Sequence, residues 1–395
     1  MTAPTTDTVF SLDTLQAAAE SLTGQVISWR RHLHTNPEVS FHEHATAQYI
    51  HDVLSNVRGL QLSKPTATSV VARLVGALPG RVIAVRADID ALPIDEENDI
   101  PYRSQTRGAM HACGHDGHTA IVLALATLLA AHRDELPGEV RFVFQHAEEL
   151  SPGGAEELVN AGVMDGVDEV IGLHLWASMP VGRIGLISGP AMAAPDTFQC
   201  TITGQGGHAA IPHDTIDPIA IGAQVVTALQ QVISRQVDPL DPCVLSITQF
   251  IAGTAFNVIP QRVVLKGTVR TLSPQMRAMA EARFNALAEG TALAFGAIAQ
   301  VSYLRGYPVT VNAATETDHA AAAARAVSGG CDDAPFVMGG EDFAYMLQER
   351  PGAYILMGNG DTAMVHHPEY NFNDEAIPAG CSWWAEMAER RMPLT

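Results

Sequence analysis

Nine consecutive positions, Met110 to His118, hold three histidines, a cysteine and an aspartate just ahead of a long apolar run. Cysteine and histidine are the donors that zinc and its neighbours select, so this density points to metal ligation. If His111 to His115 is extended, a side-chain period of two turns His111, Cys113 and His115 to one side. A second cluster, Gln145-His146-Ala147-Glu148-Glu149, puts adjacent carboxylates at the end of an apolar stretch. On a regular strand they would face opposite ways. A turn at the strand's carboxyl end would bring both into the crevice where open α/β sheets bind ligands. One carboxylate could then ligate metal while the other accepts a proton from water. His174 closes another apolar stretch, and His366-His367-Pro368 follows the Gly358-Asn359-Gly360 exit.

The elements that must carry these residues alternate between strand and helix. A helix over about 11 to 34, with Ser11 as N-cap, stops at Asn36-Pro37. Strands follow at Val70 to Leu74 and Val82 to Ile89, the second ending in Asp88 and Asp90. Next come the helix His118 to Ala131, the strand Glu139 to Gln145, a Gly-opened helix Gly153 to Ala161 and the strand Asp168 to Leu175. Apolar strands of this kind are buried on both faces, so this part reads as a parallel α/β sheet covered by helices. After Gly189 the pattern changes. Strands at Thr197 to Thr203, Val244 to Phe250, Val263 to Arg270 and Ala297 to Leu304 are interleaved with helices near Ile216 to Ser234 and Pro274 to Phe295. The order βαββαβ is that of a ferredoxin-like sandwich. Residues 190–301 are therefore expected to form a domain inserted into an α/β domain made of residues 1–189 and 302–395.

A chain of 395 residues exceeds what one hydrophobic core usually holds, which agrees with two domains. The net charge of −20 repels phosphate backbones and anionic headgroups, so nucleic acid and membrane surfaces are not expected partners. Five scattered cysteines, at 113, 200, 243, 331 and 381, argue for a reducing compartment rather than a disulfide framework. Met1 to Phe10 lacks a basic patch followed by an apolar run, and apolar runs such as Ala120 to Ala131 fall short of the roughly 20 residues that cross a bilayer. A cytoplasmic location is expected.

These residues stand within a longer series of ordered motifs. The series comprises Arg30-Arg31-His32-Leu33-His34 with Asn36-Pro37-Glu38, Arg86-Ala87-Asp88-Ile89-Asp90-Ala91-Leu92-Pro93 and Cys113-Gly114-His115-Asp116. It continues with Glu148-Glu149, Gly172-Leu173-His174, Gly206-Gly207-His208-Ala209-Ala210 and Asn257-Val258-Ile259-Pro260, then Gly340-Glu341-Asp342-Phe343 and His366-His367-Pro368. Over nearly its whole length the chain resembles the metal-dependent amidohydrolases of the M20 peptidase family, in particular the branch of hippurate hydrolases, N-acyl-amino-acid amidohydrolases and auxin-conjugate hydrolases. The resemblance implies a phosphorylase/hydrolase-like α/β catalytic domain and an inserted ferredoxin-like lid that also pairs subunits into homodimers or homotetramers. It implies two divalent metal ions per subunit, zinc or manganese with cobalt or nickel as alternatives, held by Cys113, His115, Glu149, His174 and His366, with Glu148 as general base. His366 is preferred to His367 because the family's ligand stands two residues before the proline. His208 matches the histidine that stabilises the oxyanion, while Asn257 and Arg270 match groups that hold the substrate. Asp88-Ile89-Asp90 stands where other branches carry His-x-Asp, and both aspartates are expected behind the ligands, orienting a histidine. The implied reaction is hydrolysis of N-acyl amino acids to a carboxylic acid and a free amino acid. A dipeptidase or aminopeptidase would need a free α-amine in its substrate, and a catalytically silent binder of acylated metabolites would not need Glu148. A metal-storage protein would need neither the base nor a lid.

Overall fold

The computed structural model of the protein describes residues 12–328 and 330–392, so the N-cap expected at Ser11 lies outside the described residues. The chain separates into two compact units. One comprises Met1–Gly189, Val311–Pro335 and Asp342–Thr395, and the other Pro190–Thr310 with Phe336–Glu341.

The first unit is built on an eight-stranded sheet. Its spatial order is Leu60–Ser63, Val70–Val75, Pro137–Gln145, Leu78–Asp88, Glu169–Trp176, Gly352–Gly358, Ile184–Leu186 and Asp332–Asp333. The four middle strands are mutually parallel. They are rich in Val, Ile, Leu and Phe and buried along most of their length, as strands covered on both faces must be. The expectation of a parallel sheet needs correction at its flanks, where Val70–Val75 runs antiparallel to Pro137–Gln145 and Ile184–Leu186 antiparallel to Gly352–Gly358. The cause at the first flank is chain length. Only Gly76 and Ala77 separate Val70–Val75 from Leu78–Asp88, and a link so short cannot make the crossover that a parallel pair demands. Gly76 also admits the neighbouring chain, since a Cβ there would lie 1.9 Å from the Leu136 carbonyl oxygen.

The helix His115–Ala131 is apolar on nearly every side and buried throughout most of its length, the mark of a helix enclosed by other elements rather than lying at a surface. The C-terminal helix Ile377–Arg391 contributes the buried Trp383 and Trp384, and the Trp383 indole N–H donates to the Ala320 carbonyl at 3.2 Å. Parallel strands of this unit end in Asp88, in Gln145 just ahead of the paired glutamates, and in the residues around His174. One edge of the sheet thus receives most of the chemistry-bearing residues.

The second unit holds a four-stranded antiparallel sheet in the order Cys243–Ala252, Arg262–Thr271, Ala194–Thr203 and Ile298–Leu304. The last strand runs on past Val301, the expected end of the inserted segment. Along Ala194–Thr203, Phe198, Cys200 and Ile202 are buried and alternate with more exposed residues, as befits a sheet with one covered face. Two helices, Pro218–Arg235 and Pro274–Ala294, start at Asp217 and Ser273, whose side chains accept from the Ile219 and Met276 amides. Each cap precedes a proline that has no amide hydrogen to satisfy. Phe284 from the second helix packs on Phe198 with ring centroids 4.2 Å apart.

Candidate metal centre

Gly114 has φ +91°, a left-handed conformation that ends the extended stretch and starts the helix at His115. The expected extended run from His111 to His115 is therefore corrected. Cys113 precedes the turn, His115 occupies the first helical position, and the alternation that would have aligned His111 with them is broken. His111 is buried with its ring centroid 6.4 Å from that of His34, and among the described residues it joins none of the ligand-like clusters. Burial pushes its pKa down to about 4.

Cys113, His115 and His174 form one such cluster, with candidate ligand atoms within 4.8 Å of one another. Cys113 Sγ and His174 Nε2 are 3.3 Å apart. The His174 Nδ1–H donates to the Leu175 carbonyl at 2.6 Å, so Nε2 keeps its lone pair toward the cysteine. The His115 Nδ1–H is likewise taken up by Asp90, through its carbonyl at 2.9 Å and its carboxylate at 3.2 Å. The His115 Nε2 is buried without a hydrogen-bond partner.

The paired glutamates reach the same place because Ala147 adopts φ +50° directly after the strand Pro137–Gln145. His115, Glu148 and Glu149 form a second cluster, and Cys113, Glu149 and His366 a third. His366, itself at φ +69°, has its Nε2 3.1 Å from Glu149 Oε1, and its amide donates to the Ala112 carbonyl at 2.7 Å. His367 instead lies beside Glu369, whose amide donates to its Nδ1. Backbone held in sparsely populated regions tends to gather at functional sites, and Ala147 and His366 follow that tendency.

The two aspartates divide their work. Asp90 bonds His115 and also accepts from Ser40 Oγ at 2.6 Å and from the Glu149 amide at 3.1 Å. Asp88 lies 3.6 Å from His115 Nε2 but accepts its short bonds from Arg86, at 2.6 Å, and from His118 Nδ1, at 2.7 Å. The Leu175 amide donates to His118 Nε2, which places the ring hydrogen on Nδ1, facing Asp88.

The donor set fits divalent cations. Burial, then Glu149, Glu148 and Asp88, push the Cys113 thiol well above its usual range, so a thiolate here needs a cation beside it. Burial alone would lower His115, yet Asp88 and Asp90 outweigh it and raise the imidazole to about 10. The surroundings thus favour positive charge at Nε2, where a metal ion would take the place of a proton. Burial drives His174 well below the usual histidine value, leaving it neutral and able to ligate.

Sequence reasoning assigned no role to several groups. His118 stands three positions after His115 on one helix, a spacing that puts both on one face and was available as a signal. Arg86 is buried, bonding Asp88 and also Asp342 at 3.0 Å, a partner 256 positions away that no local pattern reveals. His34 bridges Asp116 and Glu96 at 2.9 and 3.1 Å, beside the turn at Gly114. His208, Asn257 and Arg270 all lie in the second unit. There His208 is exposed on the short strand Gly207–His208, paired with Val258–Ile259, and the Asn257 carbonyl accepts from the Ala209 amide. Arg270 Nε donates to Thr268 Oγ1 at 3.1 Å.

The sequence profile of Peptidase family M20/M25/M40 matches residues 84–390. An N-acyl-L-amino acid amidohydrolase from Geobacillus stearothermophilus is 56% identical over 287 residues, 73% of this chain and 78% of that protein. An N-acetylcysteine deacetylase from Bacillus subtilis (strain 168) is 41% identical over 365 residues, 92% of this chain and 96% of that one. The crystal structure of a dinuclear metal binding peptidase of the M20 family from Bacillus subtilis superposes with a TM-score of 0.83 at 37% identity, covering 93% of this chain and 98% of that one. With the profile spanning most of the chain and relatives aligned over nearly its full length, the protein belongs to Peptidase family M20/M25/M40.

Proposed function

We propose that this protein is a metal-dependent amidohydrolase that cleaves N-acyl amino acids, such as N-acetyl or N-benzoyl conjugates, to a carboxylic acid and a free amino acid. The observation that carries this reading is the convergence of the buried Cys113, His115 and His174 with the half-buried Glu149 and the exposed His366, with Glu148 grouped beside His115 and Glu149. These five side chains are the ligands of two divalent ions, zinc or manganese. Ions of this kind lower the pKa of water and polarise an amide carbonyl. Glu148 takes the proton of the attacking water and returns it to the departing amine. Asp90 fixes the ring of His115 so that Nε2 is presented. The first unit serves as the catalytic domain and the second, Pro190–Thr310 with Phe336–Glu341, as a lid, whose ferredoxin-like fold the strand order supports. From the lid, His208 donates to the developing oxyanion while Asn257 and Arg270 hold the substrate. The protein works in the cytoplasm, in keeping with five free cysteines; among the described residues, no helix is long and apolar enough to cross a membrane.

Assays with N-acetyl- and N-benzoyl-amino acids against free dipeptides, after loading with Mn²⁺ or Zn²⁺, test the substrate class. Turnover of the acylated compounds well above that of the dipeptides is expected. The reverse preference would make the protein a peptidase on the same scaffold, and metal binding without turnover of either would make it a silent homologue.

The lid is also the pairing surface of a homodimer or homotetramer in this reading, with His208 delivered to a neighbouring active site. His208→Ala should lose about 10² to 10³ in kcat at unchanged metal content, the usual cost of one oxyanion donor. Mixing His208→Ala with Glu148→Gln should restore part of the activity, because a mixed dimer regains one intact site. No recovery despite verified subunit exchange would confine His208 to its own chain.

A further inference from the structure

Glu43 is fully buried, and the function proposed above gives it no task. Its Oε1 accepts two backbone hydrogen bonds, from the Phe41 amide at 2.9 Å and from the Ala147 amide at 2.8 Å. Both donors belong to residues with positive φ, Phe41 at +67° and Ala147 at +50°, a conformation that residues with a side chain avoid. Ala147 is where the chain turns out of the strand Pro137–Gln145 to deliver Glu148 and Glu149. Its carbonyl is held too, accepting from the Gly154 amide at 3.1 Å. Two positions on, the Glu149 amide donates to Asp90, which Ser40 Oγ bonds in turn. The amides on either side of Glu148 are thus gripped by buried carboxylates, each tied to the segment 40–43. Glu43 is anchored in its own right, since its carbonyl opens the helix His44–Ser55 by accepting from the Ala47 amide. Phe41 packs edge-on against His146, with ring centroids 5.8 Å apart.

We propose that Glu43 is a positioning residue of the metal centre, whose carboxyl oxygen holds the Ala147 turn in the conformation that presents Glu148 and Glu149. The inference rests on the assignment of that pair as base and ligand. What the site uses is an oxygen that accepts two amide hydrogens. Burial raises the Glu43 pKa to about 7, so the protein already tolerates this acceptor in uncharged form.

The test compares Glu43→Gln, which keeps the acceptor oxygen, with Glu43→Met, which keeps the bulk and removes it. Zn²⁺ binding to the apoprotein, followed by titration calorimetry, is read alongside kcat and KM for an N-acetyl amino acid. Glu43→Met should bind Zn²⁺ at least ~10-fold more weakly, the lower end for losing a group behind a metal ligand. Its kcat should fall at least ~10-fold, the same lower bound, with KM nearly unchanged. Glu43→Gln should stay close to the parent in all three. Adding Ala147→Gly to Glu43→Met should recover part of the Zn²⁺ affinity, because glycine adopts that φ without help. Equal losses in Glu43→Gln and Glu43→Met overturn the proposal, as does the absence of any rescue by Ala147→Gly. So does an Ile50→Ala variant in the same helix that matches the thermal destabilisation of Glu43→Met and weakens Zn²⁺ binding as much. Should the parent hydrolyse no N-acyl amino acid, the proposed function falls, and the Zn²⁺ titrations still decide the role of Glu43.

Discussion

Changing Glu148 to Gln should lower kcat at least ~100-fold while the purified protein keeps its full complement of metal, because the change removes a proton acceptor and no ligand. The adjacent change, Glu149→Gln, should lose metal as well as turnover. Glu149 carries a buried Oε1 that lies 3.1 Å from His366 Nε2, and it falls in two of the ligand-like clusters. Metal analysis beside kcat separates the two outcomes, since loss of a general base leaves binding intact and loss of a ligand does not. Near-normal turnover in Glu148→Gln, or metal loss there with retention in Glu149→Gln, would reverse the assignment of the pair.

Chelation should abolish hydrolysis, and Mn²⁺ or Zn²⁺ should restore it. A second effect should accompany the first. Asp88, Glu148, Glu149 and the Cys113 thiol crowd one buried region, and that crowding is unfavourable unless positive charge is present. Ions that bind the folded chain and not the unfolded one stabilise it by about 2.7 kcal/mol at a free concentration one hundred times Kd. The thermal midpoint should therefore fall on chelation and recover with added ion. Full activity in a preparation shown to be free of metal would falsify the two-ion assignment.

How much of this centre could be read in advance depended on how local its determinants are. His174 and the Glu148-Glu149 pair were legible because they stand at or just beyond the carboxyl ends of continuously apolar strands, and in such sheets those ends gather ligands. The break between His111 and His115 was not legible, because the left-handed backbone at Gly114 overrides the alternation. The antiparallel flank of the sheet was hidden for a related reason. Burial on both faces announces a central strand, but the direction of Val70–Val75 is set by a two-residue link and by a strand that arrives some sixty residues later. Arg86, Asp342 and Glu43 acquire their partners only through the tertiary fold, with Glu43 and Ala147 separated by 104 positions. The family motifs include Arg86 and Asp342 yet say nothing of what either touches.

The strand Gly352–Gly358 lies inside the sheet, between Glu169–Trp176 and Ile184–Leu186, although it belongs to the last tenth or so of the chain. A growing polypeptide therefore presents Cys113, His115, Glu149 and His174 long before His366 exists. At about 5–20 residues per second, the interval between His174 and His366 is roughly ten to forty seconds. Throughout it the Glu169–Trp176 strand has an open edge where its permanent neighbour will later insert, the kind of edge along which chains mispair. In the proposed reading the ligand set is incomplete until His366 has been made, so full binding of the ions cannot guide the earlier stages of synthesis. Truncation before Gly352 would remove an interior strand of the sheet together with His366, and would leave two edges where the intact fold has none.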